Sequence, residues 1–214
     1  MIYFFDSCAI ARYYCDDLGS YILRKSIPED SKKMISYLSL PETISALKQC
    51  VIDTRLIAYN QEKYEIDRDL FLKEVEHKFV VIRLSEKVLD MGVKIVDKLG
   101  TRGADSVILA TALLSINSMV IKFPKEEMIF VTSDMMLYLA ACKLSQKYKY
   151  LKVLHFWSCK CNKCGQVFIA NKHNKILCPN CNAEVCGECN KDNCKENFQS
   201  IVVNTEEKGI KMKV

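Results

Sequence analysis

The first 155 residues alternate between short continuous apolar runs and longer segments with helical spacing of apolar residues. Apolar runs of about four to eight residues are typical of strands buried on both faces, whereas apolar residues three and four apart indicate amphipathic helices. The predicted strands cover residues 2–5, 34–40, 79–84, 128–132 and 151–156. This alternation predicts an α/β fold, in which a mainly parallel sheet is flanked by helices on both faces.

Capping residues set the predicted helix boundaries. Asp6 or Ser7 caps a first helix that extends to about Asp16, after which Gly19 breaks the helix and residues 21–25 form a further turn. Ser85 caps a helix that stops at Gly100 because glycine readily takes up the left-handed conformation that ends helices. The other predicted helices cover residues 42–62, 67–78 and 106–117.

Acidic residues occur where predicted strands end and helices begin. Asp6 follows the first strand, Glu42 lies in the helical turn after the second, Asp105 opens a helix and Asp134 follows the fourth strand. The carboxyl ends of parallel strands line one edge of a sheet, so these acids are expected to converge there. Taken singly, each acid also fits a helix-capping role. Their joint placement favours a site for a hard divalent cation.

Length and composition point to a globular protein with one full core and a smaller appendage. The chain has 214 residues, of which 50% are hydrophobic and 27% are charged. No apolar run approaches the length of a membrane span, and the chain enters a strand at once without a basic leader. We therefore expect a cytoplasmic protein without a membrane partner. In a reducing compartment the twelve cysteines are expected to bind metal rather than to form disulfides.

The cysteines divide the chain into two predicted domains, residues 1–156 and 157–214. Eight of the twelve lie in a tail rich in lysine and asparagine that begins near Trp157. The other four have apolar neighbours and are expected in the core. They are Cys8, Cys15, Cys50 and Cys142.

The spacing of the tail cysteines predicts a structural zinc ribbon. Cys161 with Cys164, and Cys178 with Cys181, form two CxxC pairs separated by thirteen residues. Four thiolates close a tetrahedral zinc site and leave no open position for catalysis. Residues 166–170 and 175–177, between the pairs, are predicted to form a hairpin.

The remaining tail cysteines have two predicted uses. They form a second zinc site, or some of them replace members of the first set as ligands of the first zinc ion. These cysteines are Cys159, Cys186, Cys189 and Cys194. His155 and His173 are alternatives to Cys159 as the fourth ligand.

The formal net charge of +5 is a weak argument for nucleic-acid binding. One Zn(Cys)4 site would lower it to roughly +3 and two would lower it to roughly +1. A local basic and aromatic segment contains Lys143, Lys147, Tyr148, Lys149, Tyr150 and Lys152. The favoured interpretation of this segment is a solvated helix end, and the alternative is a patch that follows a nucleic-acid backbone and stacks on bases.

Four segments resemble, in the same order, the motifs of PIN-domain nucleases, especially the VapC group. Residues 3–10 resemble the first strand with its acid, 41–47 the glutamate-bearing helix, 101–110 the "AAD" helix start and 130–134 the final strand with its acid. The resemblance covers about residues 1–155. With a C-terminal zinc ribbon, the architecture is also similar to the endonuclease that trims the 3′ end of small-subunit ribosomal RNA.

The resemblance implies a PIN-like fold and a Mg²⁺- or Mn²⁺-dependent endoribonuclease that hydrolyses RNA phosphodiester bonds. The implied catalytic and metal-binding residues are Asp6, Glu42, Asp105 and Asp134. Ser7 and Thr132 would orient carboxylates or contact phosphate, and Arg102 would steer the substrate. These hydroxyls and this arginine also fit plain capping and surface roles.

The implied partners are RNA, a ribosomal or other ribonucleoprotein particle, or an antitoxin, and a homodimer is compatible with the family. One alternative function is a non-catalytic RNA- or protein-binding module, in which the acids only cap helices and the zinc ribbon performs recognition. Another is the toxin of a toxin–antitoxin pair, as the VapC resemblance implies. Metal-dependent RNA cleavage that is lost in Asp105→Asn separates an enzyme from a binding module.

Overall fold

A parallel sheet of five strands lies at the centre of the described part of the chain. The computed structural model describes residues 1–15, 18–52, 59–122, 126–160, 167–170, 176–177 and 184–185. The strands of this sheet are β1 Ile2–Phe5, β2 Lys32–Ser36, β3 Phe79–Ile82, β4 Met128–Thr132 and β5 Leu151–His155. They are ordered β3-β2-β1-β4-β5, and every neighbouring pair is parallel. The predicted α/β class is confirmed, and all five carboxyl ends lie at one edge.

Helices occupy each crossover between consecutive strands, as parallel pairing requires. The described helices are α1 Ser7–Tyr14, α2 Leu18–Ser26, α3 Ser39–Ile52, α4 Gln61–Lys78, α5 Glu86–Leu99, α6 Gly103–Lys122 and α7 Met135–Ser145. No single helix within the described ranges is long and apolar enough to span a membrane. The pair α5 and α6 has the length and apolar composition of a span only when the two helices are counted together across a bend of 119°.

Alternate residues of each central strand enter two separate cores. In β1, Ile2 and Phe4 pack with α5, α6 and α7, whereas Tyr3 and Phe5 pack with α1 to α4. The ring of Phe4 stacks on that of Phe130, with 6.0 Å between their centroids. Because both faces of the sheet are covered, its strands are continuous apolar runs, and this explains why they were recognisable in the sequence.

Several predicted boundaries are confirmed by capping contacts. The Ser85 side chain accepts a hydrogen bond from the Val88 main-chain nitrogen, and Gly100 ends α5 with a φ of 66°. Asp6 caps α1 as predicted. Gly19, however, lies within α2 and does not break a helix. A helical glycine costs only about 1 kcal/mol relative to alanine, and the full burial of Leu23 in the same helix outweighs that cost.

The chain between β2 and α4 differs from the prediction. The strand predicted over residues 34–40 ends at Ser36, because Ser36 Oγ accepts a hydrogen bond from the Leu38 main-chain nitrogen and turns the chain into α3. The helix predicted over residues 42–62 ends at Ile52, and a new helix starts after Asn60, whose side chain caps it. Residues 53–58 lie outside the described residues.

The strands of the tail pair differently from the predicted hairpin. The tail strands are β6 Trp157–Lys160, β7 Val167–Ala170, β8 Ile176–Leu177 and β9 Glu184–Val185. β6 pairs antiparallel with β7, and β8 pairs antiparallel with β9, so the hairpin predicted between residues 166–170 and 175–177 is wrong. Each observed pair joins strands on either side of a CxxC segment, and the prediction overlooked these partners. The division at residue 157 stays a prediction.

Candidate active site

Asp6 is held at the carboxyl end of β1 by donors from two elements. Its Oδ1 accepts a hydrogen bond from the Ala9 main-chain nitrogen at 2.6 Å, in the first turn of α1. Its Oδ2 accepts a hydrogen bond from Thr132 Oγ1, at the end of the neighbouring β4. Asp6 is only 1% exposed. The carboxylate is therefore fixed in orientation where the two central strands end.

Glu42 and Asp134 are oriented by the two hydroxyl residues that the sequence singles out. Ser7, which is buried, donates a hydrogen bond from Oγ to Glu42 Oε2 at 3.0 Å. The main-chain nitrogen of Asp134 donates a hydrogen bond to Thr132 Oγ1 at 3.0 Å. The Oδ1 atom of Asp134 accepts a hydrogen bond from the Leu137 main-chain nitrogen at 2.8 Å. Ser7 and Thr132 thus each fix the position of an acidic residue.

Asp105 lies in the first turn of α6 and is partly buried. Arg102 precedes α6 and is exposed. The pKa of Asp105 is raised to about 6, mainly by burial and also by the carboxylates of Asp134 and Glu42, whereas Arg102 lowers it. Arg102 is therefore close enough to act on Asp105 through its charge.

The pKa of Asp6 responds to two of the same acids, Asp105 and Asp134. This pKa is raised from 3.8 to about 7, mainly by burial and also by the charges of Asp105 and Asp134. The hydrogen bonds from Thr132 and Ala9 act in the opposite direction. The carboxylates at the starts of α1 and α7 and in the first turns of α3 and α6 therefore share one electrostatic environment at the carboxyl edge of the sheet.

Cys8 is a neighbour of this cluster that the sequence prediction placed wrongly. It is exposed, not in the core, because the second position of α1 faces the edge of the sheet while Ala9 and Ile10 pack inward. Although part of Cys8 is exposed, loss of solvent around its sulfur raises the pKa of the thiol to about 12, and all four carboxylates contribute. Cys15 is buried, and Cys50 and Cys142 are partly buried.

The donor set fits a hard divalent cation by its chemistry. It consists of four carboxylates, and Mg²⁺ and Mn²⁺ prefer oxygen ligands of this kind. In the described part of the chain, no three His, Cys, Asp or Glu side chains form a group that could hold a metal ion as they stand. The four carboxylates thus affect one another's charge, but they are not close enough together to form a complete coordination site. Carboxylates that repel one another are expected to stay apart in this way.

The basic and aromatic segment near residue 150 lies at the opposite edge of the sheet. Lys149 Nζ lies 5.7 Å from the centroid of the Tyr150 ring, and both residues line a cavity of about 240 Å³ with Met1 and Glu127 at the amino ends of the strands. Lys152 forms an ion pair with Glu127 at 2.6 Å. Strands of this length separate the two edges by roughly 15 Å. This segment therefore does not adjoin the carboxylates.

The predicted zinc ligands are almost entirely outside the described residues. Cys159 lies in β6, and nothing is described of its side chain. The other ligands, which lie outside the described ranges, are Cys161, Cys164, Cys178, Cys181, Cys186, Cys189 and Cys194. His173, one of the two alternative ligands, also lies outside them, whereas His155 ends β5 and is buried.

A model of the PIN-domain family matches residues 3–123, which is more than half of the chain. Comparison with curated protein sequences finds no match. The match spans β1, β2, β3 and the helices that carry Asp6, Glu42 and Asp105.

Three solved structures are similar to the chain at low sequence identity. A toxin–antitoxin complex from Klebsiella pneumoniae is 14% identical with a TM-score of 0.41, and the similarity covers 61% of this chain and 85% of that chain. VapBC2 from Rickettsia felis bound to a promoter DNA fragment is 15% identical with a TM-score of 0.45, covering 73% and 99%. FitAB bound to an IR36 DNA fragment is 16% identical with a TM-score of 0.47, covering 72% and 94%. TM-scores below 0.5 are too low to support any inference about function.

Proposed function

The chain belongs to the PIN-domain family, and we propose that it is a divalent-metal-dependent endoribonuclease that hydrolyses RNA phosphodiester bonds. Members of this family are generally metal-dependent nucleases. The observation that carries the proposal is that Asp6, Glu42, Asp105 and Asp134 share one electrostatic environment. Burial is the main cause that raises the pKa of Asp6 to about 7 and that of Asp105 to about 6, and the charges of neighbouring acids contribute to both values. Perturbed acids that cluster at the carboxyl edge of a parallel sheet are typical of a catalytic site.

Asp6 and Asp105 are the proposed direct ligands of a Mg²⁺ or Mn²⁺ ion, and Glu42 and Asp134 complete the set. When bound, such an ion polarises a phosphoryl oxygen and lowers the pKa of bound water. Thr132 holds Asp6 in a fixed orientation, and Ser7 does the same for Glu42. These contacts reduce the reorganisation that binding requires, which is the usual role of groups that support a ligand side chain.

The protonation of Asp6 controls this proposed site. Asp6 carries a proton through much of the range below pH 7 because its pKa is raised to about 7. A proton and a cation therefore compete for the same carboxylate, and loss of the proton favours the cation. Arg102, exposed beside Asp105, supplies positive charge that attracts a polyanionic substrate.

The tail is proposed to carry structural zinc. Residues 161–166 connect β6 to β7 and contain the first CxxC pair. Residues 178–183 connect β8 to β9 and contain the second CxxC pair. This arrangement supports a zinc ribbon in which Cys161, Cys164, Cys178 and Cys181 share one ion. A second ion bound by the remaining tail cysteines stays a prediction of the sequence.

The biological substrate is proposed at the level of RNA. Ribosomal RNA processing and a toxin–antitoxin role both follow from the sequence resemblance alone. They differ in an observable way, because a toxin arrests growth when it is expressed alone and a matching antitoxin relieves the arrest. Asp105→Asn would remove the growth arrest if the protein is a toxin, and would cause a precursor ribosomal RNA to accumulate if the protein processes that RNA.

Cleavage of a labelled single-stranded RNA pool with and without Mn²⁺ tests the proposal. Wild type is expected to produce Mn²⁺-dependent fragments, and Asp105→Asn is expected to lose at least 100-fold in rate while it keeps its fold. Glu127→Gln is the matched control because Glu127 lies at the opposite edge of the sheet. Equal cleavage by wild type and Asp105→Asn, or cleavage by neither, would favour the binding module.

A further inference from the structure

Tyr37 is an exposed aromatic residue at the same edge of the sheet as the carboxylates. It follows Ser36, the last residue of β2, and is 55% exposed. Its neighbours in sequence are anchored, since Ser36 is fully buried and Leu38 packs on the core beside α5, α6 and α7. A tyrosine this exposed contributes little to the core, so its ring is available to a ligand.

The main chain around Tyr37 is held firmly. The Tyr37 nitrogen donates a hydrogen bond to the Ile82 carbonyl at 2.9 Å, and the Tyr37 carbonyl accepts one from the Leu40 nitrogen at 3.3 Å. Ser36 Oγ accepts a hydrogen bond from the Leu38 nitrogen and also lies 3.3 Å from Thr111 Oγ1. The ring is therefore presented from a fixed backbone, and this reduces the entropy lost when a ligand stacks on it.

Arg83 extends the same edge by one strand. Ser36 of β2 pairs with Ile82 of β3, so Tyr37 and Arg83 are the next residues along the two strands. Because Phe5 pairs with Ile35, Asp6, the residue after β1, adjoins this end of β2. Neighbouring strands are about 4.8 Å apart, which places the main chain of Arg83 roughly 10 Å from that of Asp6 across the sheet.

Arg83 has the exposure and charge of a phosphate-binding residue. It is exposed and forms no ion pair with any residue that the structure describes. Along this edge the carboxylate of Asp6 follows β1, the aromatic ring of Tyr37 follows β2 and the guanidinium of Arg83 follows β3. An aromatic ring stacks on any base and an arginine beside it binds a backbone phosphate, and this combination is typical of sites for single-stranded nucleic acid.

We propose that Tyr37 stacks on a base of single-stranded RNA and that Arg83 binds a neighbouring phosphate of the same strand. These contacts position the RNA with its scissile phosphate at the carboxylates, and the proposal rests on the proposed nuclease function. Duplex RNA cannot present an unstacked base to Tyr37. The edge therefore selects single-stranded RNA.

Equilibrium binding of fluorescent oligoadenylate, compared with an abasic backbone of the same length, tests the role of Tyr37. The full chain with Asp105→Asn serves as the cleavage-deficient background. Oligoadenylate is expected to bind at least about tenfold more tightly than the abasic backbone. Tyr37→Ala removes that preference, whereas Tyr37→Trp keeps it. A preference that is unchanged in Tyr37→Ala would overturn the proposal.

The salt dependence of binding tests Arg83. Arg83→Gln is expected to lower the slope of log affinity against log salt concentration by about 0.7, which corresponds to the loss of one phosphate contact on a single strand. Lys149→Gln, at the opposite edge, is the matched control and should leave the slope unchanged. An unchanged slope in Arg83→Gln, or the same fall in Lys149→Gln, would contradict the assignment.

Cleavage kinetics separate this inference from the proposed nuclease function. With a single-stranded RNA pool, Tyr37→Ala is expected to raise KM about tenfold and to change kcat less than threefold. If cleavage depends on Asp105 but Tyr37→Ala leaves KM unchanged, only the stacking site is refuted. Cleavage that does not depend on Asp105 would refute the nuclease function itself.

Discussion

Thr132 donates a hydrogen bond from its hydroxyl to Oδ2 of Asp6, a residue 126 positions earlier in the chain. Thr132 ends β4 and Asp6 follows β1, so this bond joins the carboxyl ends of the two central strands. The same hydroxyl accepts a hydrogen bond from the main chain of Asp134. One buried side chain therefore fixes the relative positions of two acids that are proposed to bind metal.

Thr132→Val tests this role with a side chain of similar shape. Loss of the hydroxyl removes a hydrogen bond that lowers the pKa of Asp6, so that pKa rises further. We expect RNA cleavage at pH 7 to fall about tenfold and the acidic limb of the pH–rate profile to move to higher pH. Ser115→Ala removes a buried hydroxyl from α6 and serves as the control. An unmoved acidic limb in Thr132→Val would contradict the assigned role.

The stability of the protein without added Mg²⁺ or Mn²⁺ should depend on the charge of Asp6. Because the folded-state pKa of Asp6 is raised to about 7, ionisation opposes folding. The loss of folding free energy caused by this ionisation is absent below about pH 4, near the pKa of Asp6 in the unfolded chain. It grows as pH rises and is complete above pH 7. Asp6→Asn keeps a capping oxygen but carries no charge, so it should stabilise the protein at pH 8 by at most roughly 4 kcal/mol.

Thermal melts of wild type and Asp6→Asn at several pH values measure this effect. The difference in Tm should be largest at pH 8 and should shrink towards zero near pH 4. Added Mn²⁺ should raise the Tm of wild type at pH 8 and leave that of Asp6→Asn nearly unchanged. A lower Tm for Asp6→Asn at pH 8 would show that the carboxylate stabilises the fold.

Gly92 allows the close packing of α5 on α6, the helix that carries Asp105. A Cβ at Gly92 would lie 3.0 Å from Val107 Cγ2 and 3.4 Å from Val107 Cα, whereas a Cβ at Gly103 would meet nothing within 4 Å. Gly92→Val should therefore lower the free energy of unfolding by about 1–3 kcal/mol more than Gly103→Val does. Urea denaturation measures both values. Equal effects of the two substitutions would show that α5 and α6 separate without cost.

The elements that local chemistry determines were predictable from the sequence. β1 and β4 are apolar runs buried on both faces, and Asp6 and Ser85 cap helices through contacts with residues three positions ahead. The positions of the acids at strand ends follow from the same local signals. Their common edge follows from parallel pairing, which the alternation of strands and helices predicts.

Features that depend on contacts distant in sequence were not predictable in the same way. β2 ends at Ser36, and the Tyr37 nitrogen bonds to Ile82, so the exposure of Tyr37 at the edge requires the position of β3. The prediction extended this strand through Tyr37 because the apolar run continues to Leu40. Cys8 was expected in the core for a similar reason, since apolar neighbours in sequence do not reveal which face of α1 meets the edge.

Metal analysis of the purified protein tests the proposed zinc ribbon. We expect at least one tightly bound zinc per chain by elemental analysis. Cys161→Ser and Cys178→Ser should each lose that zinc, because one ion needs all four thiolates. Cys8→Ser is the control, since Cys8 lies near the carboxylates at the start of α1. Full zinc content in Cys161→Ser and Cys178→Ser would rule out the assigned ligand set.

Direct titration of Mn²⁺ at pH 8, followed by the electron paramagnetic resonance of free Mn²⁺, tests whether the four acids act together on one cation. Wild type should remove Mn²⁺ from solution, and its affinity should fall as pH drops through the pKa of Asp6 near 7. Asp6→Asn and Asp105→Asn should each weaken binding at least 100-fold, whereas Glu127→Gln should not. Mn²⁺ binding that is absent from wild type, or unchanged in both aspartate variants, would contradict a shared metal site.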